Sequence, residues 1–129
     1  MVEGVYQIAE GRINFPKWYN RTMAQVPEIT VEELKKRMDQ KENFLLLDVR
    51  EPGEYETAKI PGSKLIPLKT LPGRLGELKK DQEIVVHCHH GGRSLQACQF
   101  LRAQGFNAVN VEDGIQAWSE RIDSSVPTY

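Results

Sequence analysis

The run His87-Cys88-His89-His90-Gly91-Gly92-Arg93-Ser94 gathers a thiol, three imidazoles, a guanidinium and a hydroxyl around two adjacent glycines. It follows the apolar stretch Ile84-Val85-Val86, so it reads as the end of a buried strand, then a turn, then the start of a helix. At the carboxyl end of a parallel strand such a turn encloses a small hollow. Glycines let backbone N–H groups point inward, and the following helix adds the positive end of its dipole. An anion is favoured in that hollow, and a cysteine at its first position is placed to act as a thiolate nucleophile. Cys88 is therefore the candidate catalytic residue, and His89, His90, Gly91, Gly92, Arg93 and Ser94 form the candidate substrate-binding loop.

The length of the turn narrows the chemistry. Four residues separate Cys88 from Arg93, one fewer than in cysteine-dependent phosphatases, whose loop rings a whole phosphate group. The smaller ring suits one extra sulfur on Cys88, with the negative charge of that persulfide held in a fan of N–H groups. Arg93 and the two histidines at the rim are expected to attract an anionic donor such as a thiosulfonate. A metal site built on Cys88, His89 and His90 is disfavoured, because adjacent residues rarely converge on one ion and no distant ligand set is evident. Cys98 lies among Leu95, Phe100 and Leu101 and reads as a small buried side chain rather than a resolving thiol.

Positioning such a loop requires a sheet. From about Pro27 onward, short apolar runs alternate with amphipathic segments, the pattern of an α/β domain with a mostly parallel sheet. Five strands are predicted, at 28–29, 43–49, 64–66, 83–88 and 108–111. The runs Phe44-Leu45-Leu46-Leu47 and Ile84-Val85-Val86 lack alternation, as expected of central strands covered on both faces. Thr30-Val31-Glu32-Glu33 is a capping box that opens a helix over 30–40. A second helix over 95–104 stops at Gly105. Further helical pieces are expected near 52–57, near 71–80 and over 113–121, the last with Asp113 as N-cap. Residues 1–26 form an extension with Tyr6, Phe15, Trp18 and Tyr19, too aromatic for a solvated tail and expected to dock on the domain (27–129) or on a partner.

Whole-chain properties set outer bounds. At 129 residues one core can form without disulfide or metal staples. Seventeen basic against eighteen acidic residues leave a net charge of −1, which offers no bulk attraction for nucleic acid or an acidic membrane. The opening residues lack a basic start with a long apolar run, and no stretch approaches a membrane span. Two cysteines ten positions apart do not make a disulfide framework. A soluble cytoplasmic protein with free thiols is the expectation.

Three ordered stretches resemble the rhodanese family: Leu47-Asp48-Val49-Arg50-Glu51-Pro52-Gly53-Glu54-Tyr55 followed by Ile60-Pro61-Gly62-Ser63, the Cys88 loop, and Gly105-Phe106 with Asp113-Gly114-Ile115-Gln116-Ala117-Trp118. The resemblance spans about residues 28–129. It implies a three-layer α/β fold with a five-stranded parallel sheet flanked by helices, and sulfur transfer through a persulfide on the loop cysteine. It also implies that Asp48 and Arg50 support the loop by an ion pair and hydrogen bonds, and that Tyr55, Pro61, Gly62 and Trp118 are packing and turn residues. Ala58-Lys59, where the family often has Gly-His, and Leu65, where it often has Asn, are departures at the pocket rim. The tail with Ala117-Trp118 and Val126-Pro127-Thr128-Tyr129 is similar to rhodanese domains fused to adenylyltransferases that sulfurate carrier proteins. The implied activity is that of a thiosulfate sulfurtransferase, with no metal or organic cofactor. Its expected partners are a small anionic sulfur donor and a thiophilic acceptor: cyanide in vitro, a thiol or sulfur-carrier protein in the cell. The competing readings are a phosphatase or arsenate reductase of related fold, and a non-catalytic docking module.

Overall fold

The capping box at Thr30 forms as the residue types require. The Glu33 N–H donates to Thr30 Oγ1 at 3.1 Å and the Thr30 N–H to Glu33 Oε1 at 3.3 Å, and helix α1 runs Val31–Asp39. The computed structural model describes residues 25–129 and, in the segment before them, the backbone of two short strands, β1 (Gln7–Ala9) and β2 (Arg12–Asn14), paired antiparallel. Tyr6, Phe15, Trp18 and Tyr19 lie outside the described residues.

The remaining strands are β3 (Glu28–Ile29), β4 (Phe44–Asp48), β5 (Lys64–Leu65), β6 (Glu83–His87) and β7 (Ala108–Val111). They form one parallel sheet in the order β3-β7-β6-β4-β5. The two runs without alternation are interior strands, and their side chains divide between the two faces in turn. Leu47, Ile84 and Val86 enter one apolar cluster with Ala97, Cys98, Phe100 and Leu101. Leu46 and Val85 enter the other with Val31, Leu34, Ile115 and Trp118. A strand buried on both faces has no polar side to present, which is why its sequence does not alternate.

Helix α2 spans Pro52–Thr57, α3 spans Gly92–Ala103 and α4 spans Gly114–Arg121. Helices α1 and α4 cover one face of the sheet and α3 the other. One expectation is corrected and a second refined. The segment predicted as helical near 71–80 is a 3-10 stretch over Leu68–Glu77, since Pro72 removes a helical donor and Gly73 and Gly76 weaken the rest. Asp113 does stand at the N-cap position of α4, but at φ 61° its side chain makes no capping bond.

Parallel strands carry β4, β6 and β7 to the same edge, and their carboxyl ends bring Asp48, Cys88 and Val111 close together. No helix among the described residues is long and apolar enough to cross a membrane. Leu101 of α3 is fully buried against the sheet. Leu101→Ala is expected to cost about 2–5 kcal/mol, read as a lower urea midpoint with an unchanged slope.

Candidate active site

Cys88 is the first residue after β6, and the chain then folds back over its sulfur. The Gly91 N–H donates to Cys88 Sγ at 3.1 Å and the Ser94 N–H at 3.4 Å. The turn closes because Gly91 takes φ 107°, a backbone region costly for any residue with a Cβ. Helix α3 begins at Gly92, earlier than its apolar spacing alone indicated, so its first turn lies directly under the sulfur. Cys88 is only 1% exposed. The thiol therefore lies on the floor of a closed loop, beneath the amides that hold its sulfur. His90 and Gly92 are exposed, while His89, Gly91 and Arg93 are half-buried.

With its amides turned in, the loop turns carbonyls out, and these find donors at the start of α4. The Ile115 N–H donates to the Cys88 carbonyl at 2.9 Å and the Gln116 N–H to the His89 carbonyl at 3.1 Å. These are orphan amides of a helix N-terminus put to use. The approach is so close that a Cβ on Gly114 would run into both carbonyl oxygens, and Gly114 itself stands at φ 57°.

Behind the loop, Ser94 is fully buried and donates to Asn110 Oδ1 of β7 at 2.5 Å. Asn110 Nδ2 donates to Glu28 Oε2 at 2.8 Å and reaches the Gly91 carbonyl at 3.4 Å. One amide side chain thus joins β3, β7 and both residues whose N–H groups hold the sulfur.

The rim carries a chain of ion pairs. Buried Arg50 donates from Nε and Nη2 to Asp48 (2.9 and 2.7 Å), and also from Nη2 to the Ala58 carbonyl at 2.6 Å. Its Nη1 donates to Tyr129 Oη at 2.8 Å. Tyr129 Oη in turn donates to Glu54 Oε2 at 2.6 Å, and Glu54 holds Arg93 through two bonds of 2.7 and 2.9 Å. The Arg93 bonds, with further help from the Glu51 N–H and Tyr129, draw the Glu54 carboxyl down to about 2. Burial and the Glu54 bond push the Tyr129 phenol up to about 12.

His89 stacks on Tyr129, with centroids 4.0 Å apart and planes 12° apart, and on His90 at 3.9 Å. Its Nε2 lies 3.2 Å from Gln116 Oε1, an acceptor that selects the tautomer protonated there. Burial lowers the pKa of His89 and also that of His87, which lies wholly buried beside Asp48. Both lie below the usual imidazole value, so His89 adds little positive charge to the rim at pH 7. Burial also raises the Cys98 thiol far above its ordinary range, consistent with an inert core residue.

The sequence pointed to Cys88, its loop, Asp48 and Arg50. Asn110, Gln116, Glu54 and Tyr129 were missed as site residues. Glu54 and Gln116 stand inside stretches that carry the family resemblance, a signal that was present without a role attached. Among the described residues no group of three or more His, Cys, Asp and Glu is arranged to hold a metal ion.

A family model described as rhodanese-like domain matches residues 30–121. A sulfurtransferase of Allochromatium vinosum is 40% identical over 95 residues, covering 73% of this chain and 89% of that protein. A putative sulfur carrier protein of Bacillus subtilis, YrkF, is 41% identical over 101 residues, covering 78% and 55%. Other relatives are longer still, the chain spanning 38% of one that is 41% identical. Among solved structures, a rhodanese-like domain protein from Staphylococcus aureus superposes with a TM-score of 0.72 at 34% identity, covering 81% of this chain and 99% of that one.

Two outcomes follow from this geometry. Gly114→Ala is expected to cost about 2–4 kcal/mol, from strain at a positive φ and from displaced loop carbonyls, seen as a lower melting temperature. Glu54 has its pKa depressed from 4.5 to about 2 in the fold, so its contribution to stability is complete above 4.5 and is lost as pH falls toward 2. Urea titrations between about pH 5 and pH 3 should show Glu54→Gln with the shallower pH dependence, the difference being about 1 kcal/mol or less at this partly solvated pair.

Proposed function

The chain belongs to the rhodanese-like domain family, and from that premise we propose that it is a sulfurtransferase that carries sulfane sulfur as a persulfide on Cys88. The observation that carries this reading is the convergence of the Gly91 and Ser94 N–H groups on Cys88 Sγ at 3.1 and 3.4 Å. Such donors stabilise a charged sulfur without rearranging during the reaction. The positive end of α3 below them acts in the same sense.

In the first step the Cys88 thiolate attacks the outer sulfur of a donor. With thiosulfate, the new S–S bond forms as the donor's S–S bond breaks; sulfite leaves with the electron pair, and the persulfide keeps one negative charge. In the second step a nucleophile takes the outer sulfur and the Cys88 thiolate is restored; cyanide, the in vitro acceptor, leaves as thiocyanate. No external oxidant or reductant is needed. Because Cys88 is 1% exposed, the rim must widen for the donor to enter, which requires the contacts of His89 or Arg93 at the rim to give way.

The acceptor we propose for the cell is a thiol or a sulfur-carrier protein. A relative bearing the name of a putative sulfur carrier protein and the tail similar to carrier-sulfurating enzymes both support it. Free Cys88 and Cys98 suit a reducing compartment such as the cytoplasm.

Intact-protein mass spectrometry tests the chemistry directly. The protein is expected to gain the mass of one sulfur on incubation with thiosulfate or another sulfane donor, and to lose it on adding cyanide. Cys88→Ser should abolish both the gain and thiocyanate formation, while Cys98→Ala should leave both in place. Persistence of the adduct in Cys88→Ser would refute the assignment.

A further inference from the structure

Arg93 is the cation at the rim that the loop sequence offers to an anionic donor, yet its outer nitrogens are both engaged. Nη1 and Nη2 each donate to a separate oxygen of Glu54. That carboxylate is not a loose neighbour. Its Oε1 accepts the Glu51 N–H at 3.0 Å and its Oε2 accepts the Tyr129 hydroxyl at 2.6 Å. Tyr129 is itself fixed by Arg50 and by its stack on His89. Depressed to about 2, Glu54 is ionised at any working pH, and an incoming donor meets a neutralised arginine.

The surrounding charges point the same way. Arg50, the other guanidinium of this network, is paired with Asp48. On the opposite side of the loop a polar cavity bounded by His90, Gly91 and Asn110 is lined by the carboxylates Glu28, Glu112 and Asp113. A doubly charged donor must approach between these groups and displace, or share Arg93 with, an anion already in place.

We propose that Glu54 is an internal anion that occupies Arg93 and makes the site select singly charged sulfur donors, such as thiosulfonates and persulfides, over doubly charged ones such as thiosulfate. Glu54 is thus a specificity-determining residue, and Tyr129 is the positioning residue that holds it. The inference rests on the reading of Cys88 as the sulfur-accepting nucleophile. With a thiosulfonate the step balances as it does with thiosulfate: Cys88 gains the outer sulfur, the donor's S–S bond breaks, and a sulfinate leaves with the electron pair.

Methanethiosulfonate and thiosulfate make a matched test, since a methyl group replaces one charged oxygen while the transferred sulfur is the same. Cyanide serves as acceptor, and kcat/KM is measured for both donors. The wild-type protein is expected to favour methanethiosulfonate. Glu54→Gln, which removes the charge and keeps the shape, should move the ratio toward thiosulfate about five- to tenfold, chiefly through its KM, as one unit charge acting across a few ångströms of partly solvated protein would do. Tyr129→Phe should move it the same way by less. In the wild-type protein, added salt should raise kcat/KM for thiosulfate more steeply than for methanethiosulfonate, a readout that depends on no variant's folding.

An unchanged ratio in a Glu54→Gln protein that still loads Cys88, or a thiosulfate rate that falls with salt, overturns the inference and leaves the sulfurtransferase reading intact. Failure of both donors to add sulfur to wild-type Cys88 removes that reading, and this inference with it.

Discussion

A loop whose amides converge on one atom must turn its carbonyls the other way, and in a packed interior those carbonyls need donors of their own. Here the need is met by the first turn of α4, whose Ile115 and Gln116 N–H groups take the Cys88 and His89 carbonyls. The loop and the helix thus satisfy each other's unpaired backbone groups. Much else follows from that exchange. It places α4 against the loop and demands the absence of a side chain at Gly114. It also brings Gln116 to His89 and sends the chain after α4 back toward the rim, where Tyr129 stacks.

The second constraint is electrostatic and runs from the sheet interior to the rim. Asp48 ends β4 in the interior, Arg50 folds back on it, and Tyr129 and Glu54 extend the series outward to Arg93. Buried pairs of this kind add little net stability over apolar packing, because removing both charges from water costs about as much as their attraction returns. Their effect is positional. Arg50 has partners at Nε, Nη1 and Nη2, so the segment around Ala58 and the residue Tyr129 are held to the end of β4 with little freedom to shift. The loop is therefore braced on two sides, by backbone exchange with α4 and by side-chain charge from β4.

What was legible in the sequence was local. The strand cores, the Thr30–Glu33 box, the Pro52 helix start and the Cys88 turn are set by residues within a few positions of one another, and each appears in the structure close to where its pattern placed it. What could not be read depends on which distant residues meet. Glu54 reaches Arg93 across 39 positions and Tyr129 across 75, so a rim that reads as cationic from its own residues is neutralised from elsewhere. The pairing of the loop carbonyls likewise depends on Ile115 and Gln116, which lie outside the loop's own sequence. Asp113 shows a local rule overridden: a good capping residue is forced into a left-handed conformation by the tight turn that brings Gly114 beneath the loop carbonyls.

Both borders of the five-stranded sheet are two-residue strands, Glu28–Ile29 on one side and Lys64–Leu65 on the other. Borders this short give an incoming polypeptide almost no backbone on which to add itself as a further strand. A macromolecule that meets the sheet at either border therefore finds side chains rather than main chain to pair with. Main-chain hydrogen bonding, which ignores side-chain identity, is thereby removed from any such contact.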